Sequence, residues 1–266
     1  VLVSYAAGGV VEVAFAAIRR RPIEEGFLVT GLIFPLVLPP TTPLWIVAVG
    51  IVVGVFFGKE VFGGTGRNIF NPALVGRLFI TIAFPQAMSS SWQQPFTDAV
   101  TSATPLSLYK TSQELTSYSD LLFGSVAGST GEVFSLGIII GGIYLLYTKV
   151  GNWRVPVSYI ATVFVLSAVG NIFIPETVAP PLFQVLTGGL LFGAFFMTTD
   201  PVTSPYNNES KLICGLIAGV LTVTIRSFSG YTEGVMFSII LTNALSPLVD
   251  HFVMKTKYRE IESARL

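Results

Sequence analysis

Charged residues are scarce in this chain. Only 11% of its 266 residues are Asp, Glu, Lys or Arg, whereas 52% are hydrophobic and the mean hydropathy is +0.71. Soluble domains carry about 25% charged residues, so too little polar surface remains here to cover a soluble globule. The composition therefore predicts an integral membrane protein. Because the formal net charge is zero, nothing indicates a nucleic-acid partner.

Cysteine and histidine are almost absent. Cys214 and His251 are the only residues of their types. A disulfide within the chain and a Cys/His metal cluster are therefore excluded, and the sequence gives no support for a Ser-His-Asp arrangement. Any redox chemistry must come from a bound cofactor, because these side chains supply none.

Apolar segments predict nine membrane crossings, and all regular structure is expected to be helical. The segments cover residues 1–18, 26–38, 43–58, 69–84, 132–148, 155–174, 181–198, 211–225 and 233–253. The second and the seventh are interrupted by Gly and Pro, which predicts broken helices, since a full span needs about 20 residues. The chain begins inside an apolar run without Met, so we expect that an earlier part is missing.

The distribution of Lys and Arg predicts the orientation. When the connections between spans are assigned alternately to the two sides of the membrane, all but two of the Lys and Arg residues fall on one side, and Arg77 is counted with this majority. The positive-inside rule makes that side cytoplasmic. Only Lys110 and Arg226 fall on the other side. The polar segment 85–131 is therefore predicted to be an outer loop, and residues 254–266 a cytoplasmic tail.

Two pairs of short motifs indicate an internal repeat. Val29-Thr30-Gly31-Leu32 resembles Leu186-Thr187-Gly188-Gly189, and Asn71-Pro-Ala-Leu resembles Asn243-Ala-Leu-Ser-Pro. A shift by an odd number of spans inverts the second copy, and inverted repeats with broken helices hold ligands near the midplane. The alternative is chance recurrence in apolar helices. We predict two inverted five-helix repeats, 1–84 with its first helix missing and 132–253, which make nine visible spans of a ten-helix bundle.

Three carboxylates lie in or beside the predicted spans. Glu12 lies within the first, Asp200 follows the broken seventh, and Asp250 ends the last. Ionisable groups at such positions are costly and commonly functional, and carboxylates with carbonyls from unwound backbone suit a small cation. Each could instead cap a helix or form a structural ion pair. For Asp200, beside the helix break, a ligand role is favoured.

Two glycine-rich stretches are candidate binding sites. The loop Gly63-Gly-Thr-Gly-Arg-Asn-Ile-Phe-Asn-Pro-Ala lacks the ending of a P-loop, but Asn68 and Asn71 offer amide donors and acceptors that suit a heterocycle such as a flavin ring. The same asparagines could simply cap a helix after a tight turn. Gly8 and Gly9 could leave a slot for a flat apolar ring or could allow close helix packing.

Over nearly its whole length the chain resembles the NqrB/RnfD family of membrane subunits. The stretches that carry the resemblance are GGVVEVAFA at 8–16, EEGFLVTG at 24–31, LPPTTPLW at 38–45, GKEVFGGTGRNIFNPALVGR at 58–77, DAVTSATPLS at 98–107, GEVFSLG at 131–137, GAFFMTTDPVTSP at 193–205 and YTEGVMFSIILTNALSPLVDH at 231–251. GGTGRN and EEGFLVT favour the B subunit of the sodium-translocating NADH:quinone oxidoreductase. DPVTSP and SGYTEG favour the D subunit of the Rnf complex. We favour the first branch.

The resemblance gives the segment DAVTSATP a chemical role, although by itself it could be an ordinary Ser/Thr loop. Family members carry FMN joined through its phosphate to a threonine in the motif Asp-x-x-(Ser/Thr)-Gly-Ala-Thr. Asp98, Thr101, Ala103 and Thr104 match this motif, and Thr104 corresponds to the attachment site. Ser102 stands where glycine is usual. Attachment requires a flavin transferase that reads this motif.

The resemblance also implies roles for the other candidates. Asn68, Asn71 and Asp200 correspond to residues near a non-covalent riboflavin, and Gly8 and Gly9 to glycines of a quinone site. The residues that correspond to acidic groups of the sodium pathway are Glu12, Asp200 and Asp250.

The function implied is that of a membrane subunit of a respiratory, redox-driven sodium pump. Such a subunit relays electrons through FMN and riboflavin toward quinone, coupled to Na⁺ movement across the bacterial inner membrane. Its partners are lipid and the A, C, D, E and F type subunits, and NADH is oxidised elsewhere. Two alternatives stay open: the D subunit of the Rnf ferredoxin:NAD oxidoreductase, and a flavin-free channel or carrier for a small solute.

Overall fold

The computed structural model describes residues 1–89, 92–93 and 102–263, the last five of these as backbone only. All regular elements within these ranges are helices. The five that are long and apolar enough to cross a membrane are Leu2–Arg19, Leu44–Phe62, Arg154–Phe173, Asn208–Phe228 and Val235–Tyr258. This confirms the predicted class, an all-helical chain of membrane type.

The first group of helices follows the predicted segments. It comprises α1 (Leu2–Arg19), α2 (Gly26–Leu36), α3 (Leu44–Gly58) with a 3₁₀ turn at Glu60–Phe62, and α4 (Pro72–Ala83). The helix α3 packs on α1 and α4, and α2 packs on α1 and α4. The α3–α4 contact is close because a Cβ at Gly54 would lie 2.5 Å from the carbonyl oxygen of Pro72. Such small residues let helix backbones approach in membrane proteins.

Three short helices occupy the described parts of the polar segment 85–131. They are α5 (Pro85–Ser89), α6 (Pro105–Ser112) and α7 (Tyr118–Phe123). Helix α6 begins with Thr104 as N-cap and Pro105 at the first helical position, and it ends at Gln113, which is left-handed with a φ of 60°. Threonine before proline is a favourable helix start, so this segment contains more helix than the expected loop.

The second group contains α8 (Ser135–Tyr147), α9 (Arg154–Phe173), α10 (Pro181–Leu186), α11 (Leu190–Phe192), α12 (Asn208–Phe228) and α13 (Val235–Ser263). Helix α12 packs between α9 and α13, and α10 packs on α9. A π-helical turn, Gly193–Met197, continues α11. The predicted break of the seventh segment is confirmed, because Thr187 is extended and Gly188 has a φ of +62°.

Four helices differ in length from the predicted segments. Helices α2, α4 and α8 have 11, 12 and 13 residues and are shorter than a full span. Helix α13 does not end at residue 253 but continues to Ser263, through the segment expected to be a tail. Its last turns are rich in Lys, Arg and Glu, which favour helix and allow it to continue once its apolar stretch has ended.

Large apolar side chains cover the outside of the helices. Between 17% and 50% of each candidate span is buried inside the chain, and exposed residues include Val10, Ile140, Val165, Leu216 and Leu241. Soluble proteins rarely expose apolar surface on this scale, so contact with lipid accounts for it.

Candidate functional site: a cavity beside Thr104

Thr104 lies at the N-terminus of α6. Its Oγ1 accepts a hydrogen bond from the Ser107 backbone N–H at 3.3 Å and donates one to Ser107 Oγ at 3.2 Å. The side chain is partly exposed. The first N–H groups of a helix have no partner within it and favour a negative charge nearby, so this hydroxyl lies where an attached phosphate is stabilised.

A cavity of about 330 Å³ opens beside Thr104. It lies between the C-terminal half of α4, the start of α6, the break between α10 and α11, and the turn before α13. Its wall includes Thr81, Leu106, Leu186 and Met236 and is mainly apolar. A volume of this size, with a few polar groups, is typical of a pocket for a small organic molecule.

A buried ion pair lines this cavity. Arg77, in the middle of α4, donates to Glu132 through Nη1 at 2.5 Å and through Nη2 at 3.4 Å. Ser129 donates to the other end of the same carboxylate at 2.6 Å. Both charged side chains are less than 10% exposed. The pair joins the first group of helices to the segment that precedes α8.

A second pair lies on the other side of the helix break. Arg226 Nη2 is 3.0 Å from Glu233 Oε1, and the same guanidinium donates to the carbonyls of Gln184 and Thr187 at the end of α10. Burial opposes ionisation of Glu233, but the guanidiniums of Arg226 and Arg77 and backbone N–H donors outweigh it, and together they lower the pKa of this carboxyl. Glu233 is therefore a carboxylate at neutral pH.

These four charged residues were not among the predicted site residues, and Arg77 was assigned to the wrong place. The count of cations placed Arg77 in a connection on the cytoplasmic side, whereas it is 4% exposed and lies in the middle of a helix. A signal was present in the sequence, because Arg77 lies inside the apolar segment 69–84 and Arg226 adjoins the segment 211–225. The rule that singles out ionisable residues in spans applies to arginines as well as to carboxylates.

Lys110 connects α6, the helix that begins at Thr104, to the end of α12. Its Nζ donates to the carbonyls of Arg226 at 3.3 Å, Ser229 at 2.5 Å and Tyr231 at 2.8 Å. These carbonyls end α12 and lead toward α13, so α6 is bound to the second group of helices. Burial lowers the pKa of Lys110. The two cations on the predicted outer side, Lys110 and Arg226, are thus both engaged in contacts within the chain.

The rest of the attachment motif is only partly described. Ala103 is exposed, and Ser102 donates its backbone N–H to the Trp92 carbonyl at 2.9 Å. Asp98 and Thr101 lie outside the described residues, so their predicted roles stay predictions.

Asn68 and Asn71 lie at the opposite end of α4 from the cavity. Asn71 caps the helix by accepting from the N–H groups of Ala73 and Leu74, and Asn68 donates to the Phe70 carbonyl at 3.1 Å. Arg77, the first residue of α4 on the cavity wall, lies six positions after Asn71, which is about 9 Å along a helix. The capping alternative accounts for these contacts, and the riboflavin role stays a prediction.

Gly8 is covered by side chains of its own chain. A Cβ at Gly8 would lie 2.7 Å from the ring of Phe27 and 2.9 Å from Ile51. A Cβ at Gly9 would lie 3.6 Å from Phe27, an ordinary contact. Close packing therefore explains Gly8, whereas nothing near Gly9 requires a glycine. The quinone role of both residues stays a prediction.

Glu12 forms a buried ion pair on the side of α1 that faces α3. Lys59 Nζ lies 2.6 Å from Glu12 Oε1, with both side chains less than 10% exposed. The second carboxylate oxygen of Glu12 has no partner among the described residues. Glu60, the residue after Lys59, forms an ion pair with Arg19 at 2.7 Å. The sodium role of Glu12 stays a prediction beside this structural one.

Asp200 and Asp250 both bind the segment between α11 and α12. Asp200 accepts from the Val202 N–H and the Thr203 hydroxyl, each at 3.1 Å. Burial raises the pKa of Asp200, and these two donors offset the effect only in part. Asp250 accepts from the N–H groups of Tyr206 and Asn207 and from the Asn207 amide. Neither residue lies beside the Thr104 cavity, and their ligand roles stay predictions.

Comparison with known proteins agrees with the resemblance. The model of the "NQR2, RnfD, RnfE family" matches residues 1–259. The B subunit of the "Na(+)-translocating NADH-quinone reductase" of Ectopseudomonas mendocina is 41% identical over 268 residues, which cover 97% of this chain and 66% of the relative. The proteins of the same name from Pseudomonas aeruginosa and Azotobacter vinelandii are each 40% identical over 97% of this chain. The chain spans about two thirds of the length of these relatives. It belongs to the NQR2, RnfD, RnfE family.

Proposed function

We propose that this chain is the B-type membrane subunit of a sodium-translocating NADH:quinone reductase and carries FMN on Thr104. The observation that carries the proposal is the position of Thr104, at a helix N-terminus and on the wall of a cavity of about 330 Å³. Family membership and the names of the B-type relatives support it.

The residues around Thr104 fit an FMN group. A phosphate on Oγ1 would lie at the N-terminus of α6, where an anion is favoured. The ring system would lie against the apolar wall formed by Leu106, Leu186 and Met236, with the charged groups of the cavity at its polar edge. When bound, FMN would supply the electron transfer that the side chains lack.

The remaining cofactor roles follow the family. Riboflavin would lie near Asn68, Asn71 and Asp200, and quinone near Gly8 and Gly9. Each asparagine uses one amide group locally, so the Asn68 carbonyl and the Asn71 amino group remain to contact a ring. The flavins would relay electrons toward quinone, while another subunit oxidises NADH.

Sodium would pass along the carboxylates Glu12, Asp200 and Asp250. A flavin that gains an electron in a medium of low dielectric is stabilised by a nearby cation, which couples electron transfer to ion uptake. Two observations support the positions of Glu12 and Asp200: one buried oxygen of Glu12 has no hydrogen-bond partner, and burial raises the pKa of Asp200. A bound cation would give the Glu12 oxygen a partner and would stabilise the ionised form of Asp200.

The architecture proposed is a pair of inverted repeats, 1–84 and 132–253, in a bacterial inner membrane. Support comes from the order in which helices pack. Helix α3 contacts α1 and α4, and α2 contacts α1; in the second group α12 contacts α9 and α13, and α10 contacts α9. In this arrangement the short α2 and the broken α10–α11 would occupy equivalent positions. Residues 85–131 would be the outer connection, and 254–266 would lie on the cytoplasmic side.

The partners proposed are the other subunits of the complex, lipid and a flavin transferase. A D subunit of the Rnf complex is the second candidate, because the family includes RnfD. The names of the relatives favour the quinone reductase. A flavin-free carrier remains as the alternative of another class, and it predicts no flavin at Thr104.

The test is in-gel flavin fluorescence of the denatured chain, expressed with an active flavin transferase and compared with Thr104→Ala. We expect fluorescence in the parent and none in the variant. Thr111→Ala, in the same helix, is the matched control and should keep its fluorescence. A dark parent band would contradict the proposal and favour the carrier. Co-purification with quinone-linked or ferredoxin-linked subunits then separates the two redox complexes.

A further inference from the structure

A second cavity, of about 170 Å³, lies beside α6. Helix α6, the segment between α9 and α10, the middle of α10 and the end of α12 contribute to its wall. A cavity of about 150 Å³ is large enough to hold benzene, so a small organic molecule fits here. We call it the Lys110 cavity; its wall includes Leu106, Tyr109, Lys110, Glu176, Gln184 and Arg226.

Gln184 presents an unused hydrogen-bond donor to this cavity. The residue is 3% exposed, and its Oε1 accepts a hydrogen bond from Arg226 Nη1 at 3.2 Å. The amide nitrogen at the other end has no acceptor among the described residues, but unlike the unpartnered atoms that lie fully enclosed it keeps accessible surface. Because Gln184 lines the Lys110 cavity and is otherwise buried, an occupant of the cavity can reach this amide group.

The wall also carries a positive charge that no carboxylate balances. Lys110 Nζ donates to three backbone carbonyls and forms no ion pair within the described part of the chain, whereas Arg226 is paired with Glu233. Glu176 supplies the one carboxylate on the described wall, and that residue is exposed, so solvent screens its charge. A partly buried cation favours an anion nearby.

Apolar groups complete the wall. They include Leu106, Ala179 and the ring of Tyr109, whose hydroxyl donates to the Pro175 carbonyl at 2.9 Å. An inorganic ion would lose water against these groups without replacement, whereas the carbon chain of an organic acid would bury apolar surface on them.

We propose that the Lys110 cavity binds a small organic carboxylate. Its oxygens would accept hydrogen bonds from the Gln184 amide, and its short carbon chain would lie against Leu106 and Ala179. The inference does not depend on a flavin at Thr104. An occupant would contact α6, α10 and α12 together and so add to the contacts that hold α6.

The test is saturation-transfer NMR on the purified full chain in detergent, titrated with choline butyrate, with empty micelles as the blank. Choline chloride keeps the ionic strength constant. We expect signal transfer to the butyrate protons that saturates with concentration and gives a dissociation constant. Inorganic phosphate at equal ionic strength should displace butyrate much less effectively than unlabelled acetate or propionate does.

Two substitutions change the wall in opposite directions. Gln184→Glu keeps an oxygen for Arg226 but replaces the free donor with a second carboxylate oxygen, so we expect the affinity for butyrate to fall by about tenfold. Glu176→Gln removes a negative charge from the wall and should tighten binding by about twofold, the size of an exposed charge interaction. Glu114→Gln is the matched control, because it removes the same charge at an exposed position away from the wall.

No transfer in the parent, or one dissociation constant shared by the parent and a folded Gln184→Glu, would overturn the inference. Should Gln184→Glu not fold, equal constants for Glu176→Gln and Glu114→Gln would overturn it instead. Displacement by phosphate as effective as that by acetate would overturn the carboxylate class. Each of these results leaves the proposed function intact, because that function is tested separately by flavin fluorescence.

Discussion

The backbone N–H of Gly189 donates a hydrogen bond of 2.9 Å to Oε2 of Glu233. This contact joins the break between α10 and α11 to the turn before α13. On its other side, Gly189 lies against Glu132, the partner of Arg77. The helix break is therefore held between two carboxylates that belong to two different ion pairs, and both carboxylates line the Thr104 cavity.

A side chain at Gly189 should disrupt this arrangement. A Cβ there would overlap Oε1 of Glu132, so Gly189→Ala must move either the helix break or the buried pair. We expect a loss of about 1–3 kcal/mol, the usual cost of overpacking, measured as a lower midpoint of thermal unfolding in detergent. Gly230→Ala is the matched control on the same cavity, because a Cβ there meets nothing within 4 Å. Equal midpoints for the two variants would contradict the expectation.

The pair of Glu12 and Lys59 allows a structural role to be separated from a role in sodium transport. Lys59→Met leaves a buried carboxylate unpaired and should cost about 3–5 kcal/mol. Combining it with Glu12→Gln removes both charges and should recover most of that stability. Thermal unfolding in detergent provides the measurement.

The double variant then decides the role of Glu12. Restored stability without sodium-stimulated turnover in the complex would support a place in the cation pathway, whereas recovery of both would make the residue structural. Lys257→Met is the control, since it breaks an exposed pair with Glu209 and should cause no measurable change.

Asp200 should make stability depend on pH and on sodium. Burial raises the pKa of Asp200 in the folded chain, so the ionised carboxylate lowers the free energy of unfolding. This loss of stability begins above about pH 4, the ordinary pKa of an aspartate, and is complete above the pKa in the folded chain. Acid therefore relieves the cost, and Asp200→Asn removes it. A sodium ion bound to the carboxylate would also offset it.

We expect sodium, compared with choline at equal ionic strength, to raise the thermal midpoint of the parent at neutral pH more than that of Asp200→Asn. Asp120→Asn, at an exposed position in α7, should respond like the parent. An identical sodium response in the Asp200 variant would remove this residue from the cation pathway.

Loss of Lys110 should loosen the helix that carries Thr104. Lys110→Met removes the donor to three carbonyls, and we expect a cost of about 1–3 kcal/mol in local stability. The measurement is hydrogen exchange of the amides in Pro105–Ser112, which should become faster while those of α9 keep their protection. Lys149→Met, at an exposed position, should leave both unchanged. Unchanged exchange in α6 would show that other contacts hold it.

Much of the fold could be predicted because it depends on local pattern. Long apolar segments predict helices, and the glycines at 188 and 189 interrupt one of them. Gly188 has a φ of +62°, which a residue without a Cβ adopts most readily. The continuation of α13 to Ser263 was missed because the change from apolar to charged residues was taken as the end of a helix. Polarity ends a membrane span, but it does not end a helix whose residues favour one.

The candidate site was predictable only in part. Thr104 could be proposed as the attachment site because its motif is contiguous in sequence, and the resemblance that points to it needs no tertiary information. The charged groups around its cavity come from positions 77, 132, 226 and 233, and nothing local pairs residues separated by 55 positions, as Arg77 and Glu132 are. The carboxylates chosen from the sequence instead proved to have partners of their own.

The sequence by itself determined the membrane class, the helical segments and the family, and it singled out the threonine proposed for attachment, because composition, periodicity and contiguous motifs are properties of the chain as written. Only the tertiary structure decided which buried charges face each other and that Thr104 opens onto a cavity. Ion pairing in a medium of low dielectric depends on distances of a few ångströms, and those distances exist only after the helices have packed.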